Sequence, residues 1–134
     1  MEAVGIAELA QKPLYTLSGG MRQNAYIAMA LTQDTDYILL DEPTTYLDIS
    51  HQIELMRLLH KLADSGKGIV TVMHDLPMAF DFSDEILVID NGTVRMQASP
   101  DVLCNTTVVP EVFKVKIARI GDTDGFYYDK LIEK

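Results

Sequence analysis

Apolar and polar positions divide the chain into short alternating segments. Val4, Ile6, Leu9 and Ala10 fall at helical spacing ahead of Pro13, so a short helix is expected over residues 1–11. After Ser18-Gly19-Gly20, the residues Ala25, Ala28, Met29 and Leu31 share one helical face, to about Gln33. "YILL" (37–40) is a continuous apolar run, the pattern of a strand buried on both faces. Leu55, Leu58, Leu59 and Leu62 mark a helix from Ser50 to Asp64, and Gly66 suits the C′ position beyond it. "GIVTVM" (68–73) reads as a second buried strand, followed by a short helix around Pro77–Phe82. "EILVID" (85–90) is a further strand. The Asn91-Gly92 turn after it predicts antiparallel pairing with 93–98. Ser99 and Pro100 have the form of an N-cap and first helical residue for "SPDVL". Alternation from Phe113 to Ile120, and again at Phe126–Tyr128 beyond "GDTDG", predicts a last hairpin.

Strand–helix–strand alternation followed by hairpins implies an α/β fold: a parallel sheet with an antiparallel annex. At 134 residues the chain is one domain at most, and 48% apolar with 23% charged residues is an ordinary globular balance. A net charge of −9 argues against non-specific binding to nucleic acid or anionic lipid. The single cysteine, Cys104, excludes an internal disulfide framework and fits a reducing cytosol. The apolar runs are strand-sized and the N-terminus has no signal pattern, so a cytoplasmic chain is expected.

Candidate chemistry gathers at segment ends. In "YILLDE" a strand delivers Asp41 and Glu42 to its C-terminal end, where ligands bind in open α/β sheets. An Asp there can hold Mg²⁺, and a neighbouring Glu can orient or deprotonate a water. Alone, this is also how an ordinary strand runs into a solvated loop. His74 follows the next strand, so parallel pairing would place it near Asp41 and Glu42, within reach of a terminal phosphate. His51 and His60 lie on a helical stretch with no such neighbours and carry no functional expectation. Ser18-Gly19-Gly20 exposes backbone N–H groups at the positive end of a helix, an anion-binding arrangement.

"LSGG" before a helix, then "ILLDEP", "TTYLD" and "HDL", in this order and spacing, resemble the C-terminal half of an ABC-type ATPase subunit. The resemblance covers residues 1 to about 120, thinning after Gly92. It implies part of a P-loop NTPase fold: a signature helical subdomain over 1–34, half of the catalytic core over 35–90, and hairpins over 91–134. It also implies ATP and Mg²⁺ as cofactors. Ser18, Gly19 and Gly20 match the signature that contacts the γ-phosphate of ATP on the opposite subunit. Asp41 matches the Walker B aspartate near Mg²⁺, Glu42 the catalytic carboxylate and His74 the switch histidine. Thr45 through Asp48 match the D-loop, which communicates across the dimer. Met21 stands where the signature usually has Gln, so amide contacts would be lost there while the Ser hydroxyl and glycine N–H groups remain. "AYIAMALTQDT", with Met29, and "TTYLDISHQIELM" look like subunits of iron–siderophore, haem or cobalamin importers. The implied partners are a second ATPase subunit and a membrane permease, with the chain peripheral to the inner face of the membrane.

A family member should also carry the P-loop G-x-x-x-x-G-K-[ST]. Its Gly-Lys pair here is Gly66-Lys67, preceded at position 61 by Lys, so no match exists. The adenine-stacking aromatic residue and the Q-loop glutamine would lie upstream. The expectation is therefore a fragment, inactive alone. Its P-loop strand would belong between the strand before His74 and the strand at 85–90. Self-association should cover that gap, or 85–90 should pair directly with 69–73. Two readings stay open: a transport ATPase represented by half its domain, or a non-catalytic module or remnant that associates with itself or with a full-length subunit. The DNA upstream of Met1 separates them. A role in DNA repair or translation is disfavoured by the acidic balance.

Overall fold

The computed structural model describes residues 10–121 and 125–130, the side chains of 128–130 excepted. The chain divides into two compact units, Met1–Met73 and His74–Lys134.

The first unit begins with a 3-10 turn, Leu14–Thr16, and helix α1, Gly19–Thr32. Most of the helix expected over 1–11 lies outside the described residues, and residues 10 and 11 form a turn. Ala25, Ile27 and Ala28 are the buried positions of α1, with Leu17 packed against the two alanines. Strand β1, Tyr37–Asp41, then pairs parallel with β2, Gly68–Val72, in the register Tyr37↔Gly68 to Asp41↔Val72. Helix α2, Ile49–Asp64, makes the crossover that parallel pairing requires. Leu55, Met56 and Leu59 are its buried positions.

Helix α2 ends as its sequence predicts. Gly66 sits at C′ with φ +99°, its N–H donates to Ala63 O at 2.8 Å, and Lys67 N–H donates to Leu62 O at 3.2 Å. This double bond pattern closes the helix with a left-handed residue, which Gly adopts without Cβ strain. Lys67 Nζ reaches back to Asp34 Oδ1 and Thr35 O, both at 2.9 Å, tying the α2–β2 turn to the α1–β1 connection.

The expectation that these strands are buried on both faces is corrected. Ile38 is 5% exposed, but Leu39 is 75%, Val70 55% and Val72 52% exposed. Successive side chains leave a strand on opposite faces, so one face of β1–β2 is covered and the other is bare.

The second unit opens with helix α3, Leu76–Phe82, whose cap Asp75 accepts from Met78 N–H at 2.9 Å. Strands β3, Ile86–Asp90, and β4, Thr93–Ala98, form the antiparallel hairpin expected around Asn91 and Gly92. Those two residues have φ +48° and +73°, the type I′ geometry that suits strand twist. The register moves from Val88↔Met96 to Ile89↔Val94, leaving Arg95 as a bulge. Its guanidinium meets Asp90 Oδ2 at 3.0 Å and Glu111 Oε2 at 3.2 Å.

Short helix α4, Pro100–Leu103, follows, although the hydroxyl of Ser99 makes no cap bond. Helix α5, Val108–Phe113, occupies a segment for which the pattern predicted nothing and takes Phe113, the first residue of the expected alternation. Strands β5, Val115–Arg119, and β6, Phe126–Lys130, pair antiparallel as the tail predicts. Phe80, Val88, Leu103, Val109, Ile117 and Phe126 form the core, with the Phe80 and Phe126 rings edge-on at 5.3 Å.

The strands thus form three two-stranded sheets among the described residues. β3 pairs with β4 within the second unit.

Candidate functional site

Asp41 is the last residue of β1 and exposed. The chain then reverses. Glu42 takes a left-handed conformation, φ +46°, while its N–H still donates to Val72 O at 3.0 Å, one step beyond the strand ladder. Thr45 closes the turn by donating its N–H to Glu42 O at 3.1 Å and its hydroxyl to Glu42 Oε2 at 3.3 Å. The Glu42 carboxylate is thereby oriented by a residue of the following loop.

That loop runs from the buried Pro43 to Asp48, where α2 begins. Asp48 is the N-cap: its Oδ1 accepts from His51 N–H at 3.0 Å, from Ser50 Oγ at 2.8 Å and lies 2.7 Å from His51 Nδ1. The backbone N–H of His51, then the Ser50 hydroxyl and the His51 ring, hold the Asp48 carboxyl down at about 2. The same contact with Asp48 raises His51 above its ordinary value.

Ser18, Gly19 and Gly20 lie against the same loop. Ser18 caps α1, its Oγ accepting from Met21 N–H at 3.3 Å. A Cβ at Gly19 would stand 3.3 Å from Tyr46 Cβ, and one at Gly20 would stand 3.1 Å from Leu47 Cδ2 and 3.4 Å from Tyr46 O. The glycines therefore let the start of α1 approach loop 43–48 closely, a need separate from anion binding. A cavity of about 380 Å³ opens beside this junction, lined by Gly19, Arg22, Gln23, Tyr26 and Tyr46. Met21 is partly exposed, at 38%.

Asp41, Glu42, Ser18, Gly19, Gly20, Met21 and Asp48 thus belong to the first unit. His74 is the first residue of the second unit, next to the α3 cap Asp75. Sequence reasoning gave His51 no function and passed over Gln23 and Gln52. The signal for His51 was the Asp-x-x-His spacing inside "LDISHQ", since a helix cap bonds the residue three positions on. For the two glutamines, whose amides reach the 43–48 loop, the local pattern offered no signal.

The profile of the ABC transporter family matches residues 1–45. Over 117 residues the chain is 44% identical to the petrobactin import ATP-binding protein FpuD of Bacillus anthracis, spanning 87% of this chain and 43% of that protein. Over 123 residues it is 41% identical to the iron(3+)-hydroxamate import ATP-binding protein FhuC of Bacillus subtilis, spanning 91% and 46%. The chain thus spans under half the length of these relatives. A structure described as an inward-facing metal-chelate type ABC transporter superposes with a TM-score of 0.80 at 24% identity, over 96% of this chain and 53% of that one. The dimeric ATP-binding cassette MJ0796, bound to ADP and Pi, superposes at 0.65 with 35% identity, over 74% and 44%. The fold is that of the ABC ATPase domain, in part, and over most of its length the chain is similar to ABC transporter ATP-binding subunits.

Proposed function

We propose that the chain is the C-terminal half of the ATP-hydrolysing subunit of an importer for iron–siderophores or related metal chelates, and that by itself it is inactive. The observation that carries this reading is the packing of Ser18-Gly19-Gly20 onto the loop that follows Asp41 and Glu42. It joins a phosphate-binding turn and a carboxylate pair within one unit. The names of FpuD and FhuC support the cargo class.

The donor set fits the cofactors in part. Mg²⁺ is held by one or two carboxylates with water and phosphate oxygens, and Asp41 stands exposed at a strand end, as that requires. The start of α1 offers the Ser18 hydroxyl and N–H groups to an anion. No residue run of the sequence matches the P-loop that would grip the β- and γ-phosphates of this chain's own ATP. Bound Mg²⁺–ATP supplies the phosphoanhydride bond that water cleaves. Asp41 would hold the metal and Glu42 would orient and deprotonate the attacking water, while His74, in the second unit, is assigned to the terminal phosphate by its motif alone. Ser18, Gly19 and Gly20 serve ATP held on a second subunit, with Met21 contributing no side-chain donor and its N–H bonded to Ser18 Oγ. Asp48 fixes the loop at the dimer face.

In this reading residues 1–34 belong to the signature subdomain, 35–90 to the catalytic half and 91–134 to the hairpin annex. The partners are a second ATPase subunit and a membrane permease at the inner face of the membrane. No described helix is long and apolar enough to cross a membrane itself. The isolated chain should turn over ATP no faster than its Glu42→Gln variant. Complemented by a polypeptide that supplies the P-loop half of the same domain, the substitution should lower turnover by roughly 100-fold or more. Turnover by the isolated chain above that control would overturn the inactivity.

The bare face of β1–β2 favours a second reading, a non-catalytic module or remnant that associates with itself or with a full-length subunit. Absence of turnover in every assembly, together with a stable homo-oligomer, would favour it.

A further inference from the structure

Loop 43–48 and the residue before it hold an unfavourable backbone. Glu42 at φ +46° and Tyr46 at φ +69° are both non-glycine residues in the left-handed region. Such conformations persist only where the surroundings over-determine them. Within the loop, backbone bonds come from Thr45 N–H to Glu42 O at 3.1 Å and Leu47 N–H to Thr44 O at 3.2 Å.

Further support comes from two side-chain amides on two different helices. Gln23 of α1 donates its Nε2–H to Pro43 O at 3.2 Å. Gln52 of α2 donates to Thr44 O at 3.2 Å and Leu47 O at 3.0 Å. An amide nitrogen carries two hydrogens, so Gln52 Nε2 spends both on this loop. Both contacts are partly buried, which weakens competition from water. The carbonyls at both ends of the loop are thereby tied to the helices that flank it.

We infer that Gln23 and Gln52 are positioning residues: their amides clamp loop 43–48 between α1 and α2 and hold Glu42 and Asp48 at a set place relative to Ser18. The consequence for turnover rests on the proposed ATPase reading, whereas the clamp itself does not. A glutamate at either position keeps the length and shape but loses the donor and turns an oxygen toward a carbonyl. Gln52→Met removes the donor without adding charge.

Backbone ¹⁵N order parameters of the full chain test this. In the unsubstituted chain, Thr45, Tyr46 and Leu47 should show rigid values of about 0.85, and in Gln23→Glu, Gln52→Glu and Gln52→Met they should fall below about 0.6. The amides of β1 and of the middle of α2 should keep their values, which a general loss of structure would not allow. Loop values that stay rigid in all three variants, or a fall spread evenly over the first unit, would overturn the inference. In an assembly that turns over ATP, the same variants should lower kcat about 10-fold or more with little change in KM. If the unsubstituted assembly shows no turnover, the ATPase reading fails, and the order parameters still decide for or against the clamp.

Discussion

Asp48 links the loop that follows Glu42 to helix α2, and its chemistry makes that link depend on pH. Its carboxylate, held at about 2 instead of 3.8, supports the start of α2 at pH above about 3.8, and the support is lost as pH falls toward 2. His51, raised above 6.5 by Asp48, contributes fully below 6.5, and that contribution is lost as pH rises through its elevated value. The α2 start should therefore be tightest between about pH 4 and 6.5. A chemical-shift titration of the His51 ring should give a midpoint above 6.5, moved down by Asp48→Asn; a midpoint at or below 6.5 would show that the pair does not form. At this scale Asp41, Glu42, Ser18 and the glycines were legible in "YILLDE" and "LSGG" because each sits at an element end with a distinctive residue type. The role of the glycines in close packing was not legible, because it depends on Tyr46 and Leu47, which are distant in sequence.

The elements follow local rules where a turn residue or a cap dictates geometry. Gly92 at φ +73° lies in open space, so a Cβ there costs backbone strain without a clash. Gly92→Ala should destabilise the β3–β4 hairpin by about 1–2 kcal/mol, seen as a lower denaturation midpoint for the second unit. Ser65-Gly66 and Asp48 likewise bound α2 within a residue of the expected ends. Helix α5 escaped prediction for the opposite reason. Its six residues carry too little periodicity to separate a helix from a strand, and the burial of Val109 against the core decides its form. Leu103, 0% exposed in a four-residue helix, shows the same dependence on packing. Leu103→Ala should cost about 2–5 kcal/mol in a thermal or denaturant melt, far more than the length of its helix suggests.

For the molecule as a whole, the exposed face of β1–β2 is the outstanding feature. Tyr37, Leu39, Val70 and Val72 are 70%, 75%, 55% and 52% exposed on paired strands, where the apolar runs had predicted full burial. The runs record a covered strand, and the relatives are about twice the length of this chain. Bare apolar strand surface favours association. The chain should therefore run larger than a monomer in light scattering, and Leu39→Lys with Val70→Lys should shift it toward monomer while leaving its helical content unchanged. A monodisperse monomer of the unsubstituted chain would count against this.

The sequence by itself determined most of the element order, the turns, the α/β class and the resemblance to ABC ATPase subunits, because these depend on residue type and short-range spacing. Motif order carried the candidate chemistry in the same way. Tertiary structure decided what lies on each face of those elements. It brought Gly19 and Gly20 onto Tyr46 and Leu47, aimed Gln23 and Gln52 at the carbonyls of one loop, and left one side of β1–β2 uncovered. Such contacts join residues far apart along the chain, and only the folded backbone fixes their distances.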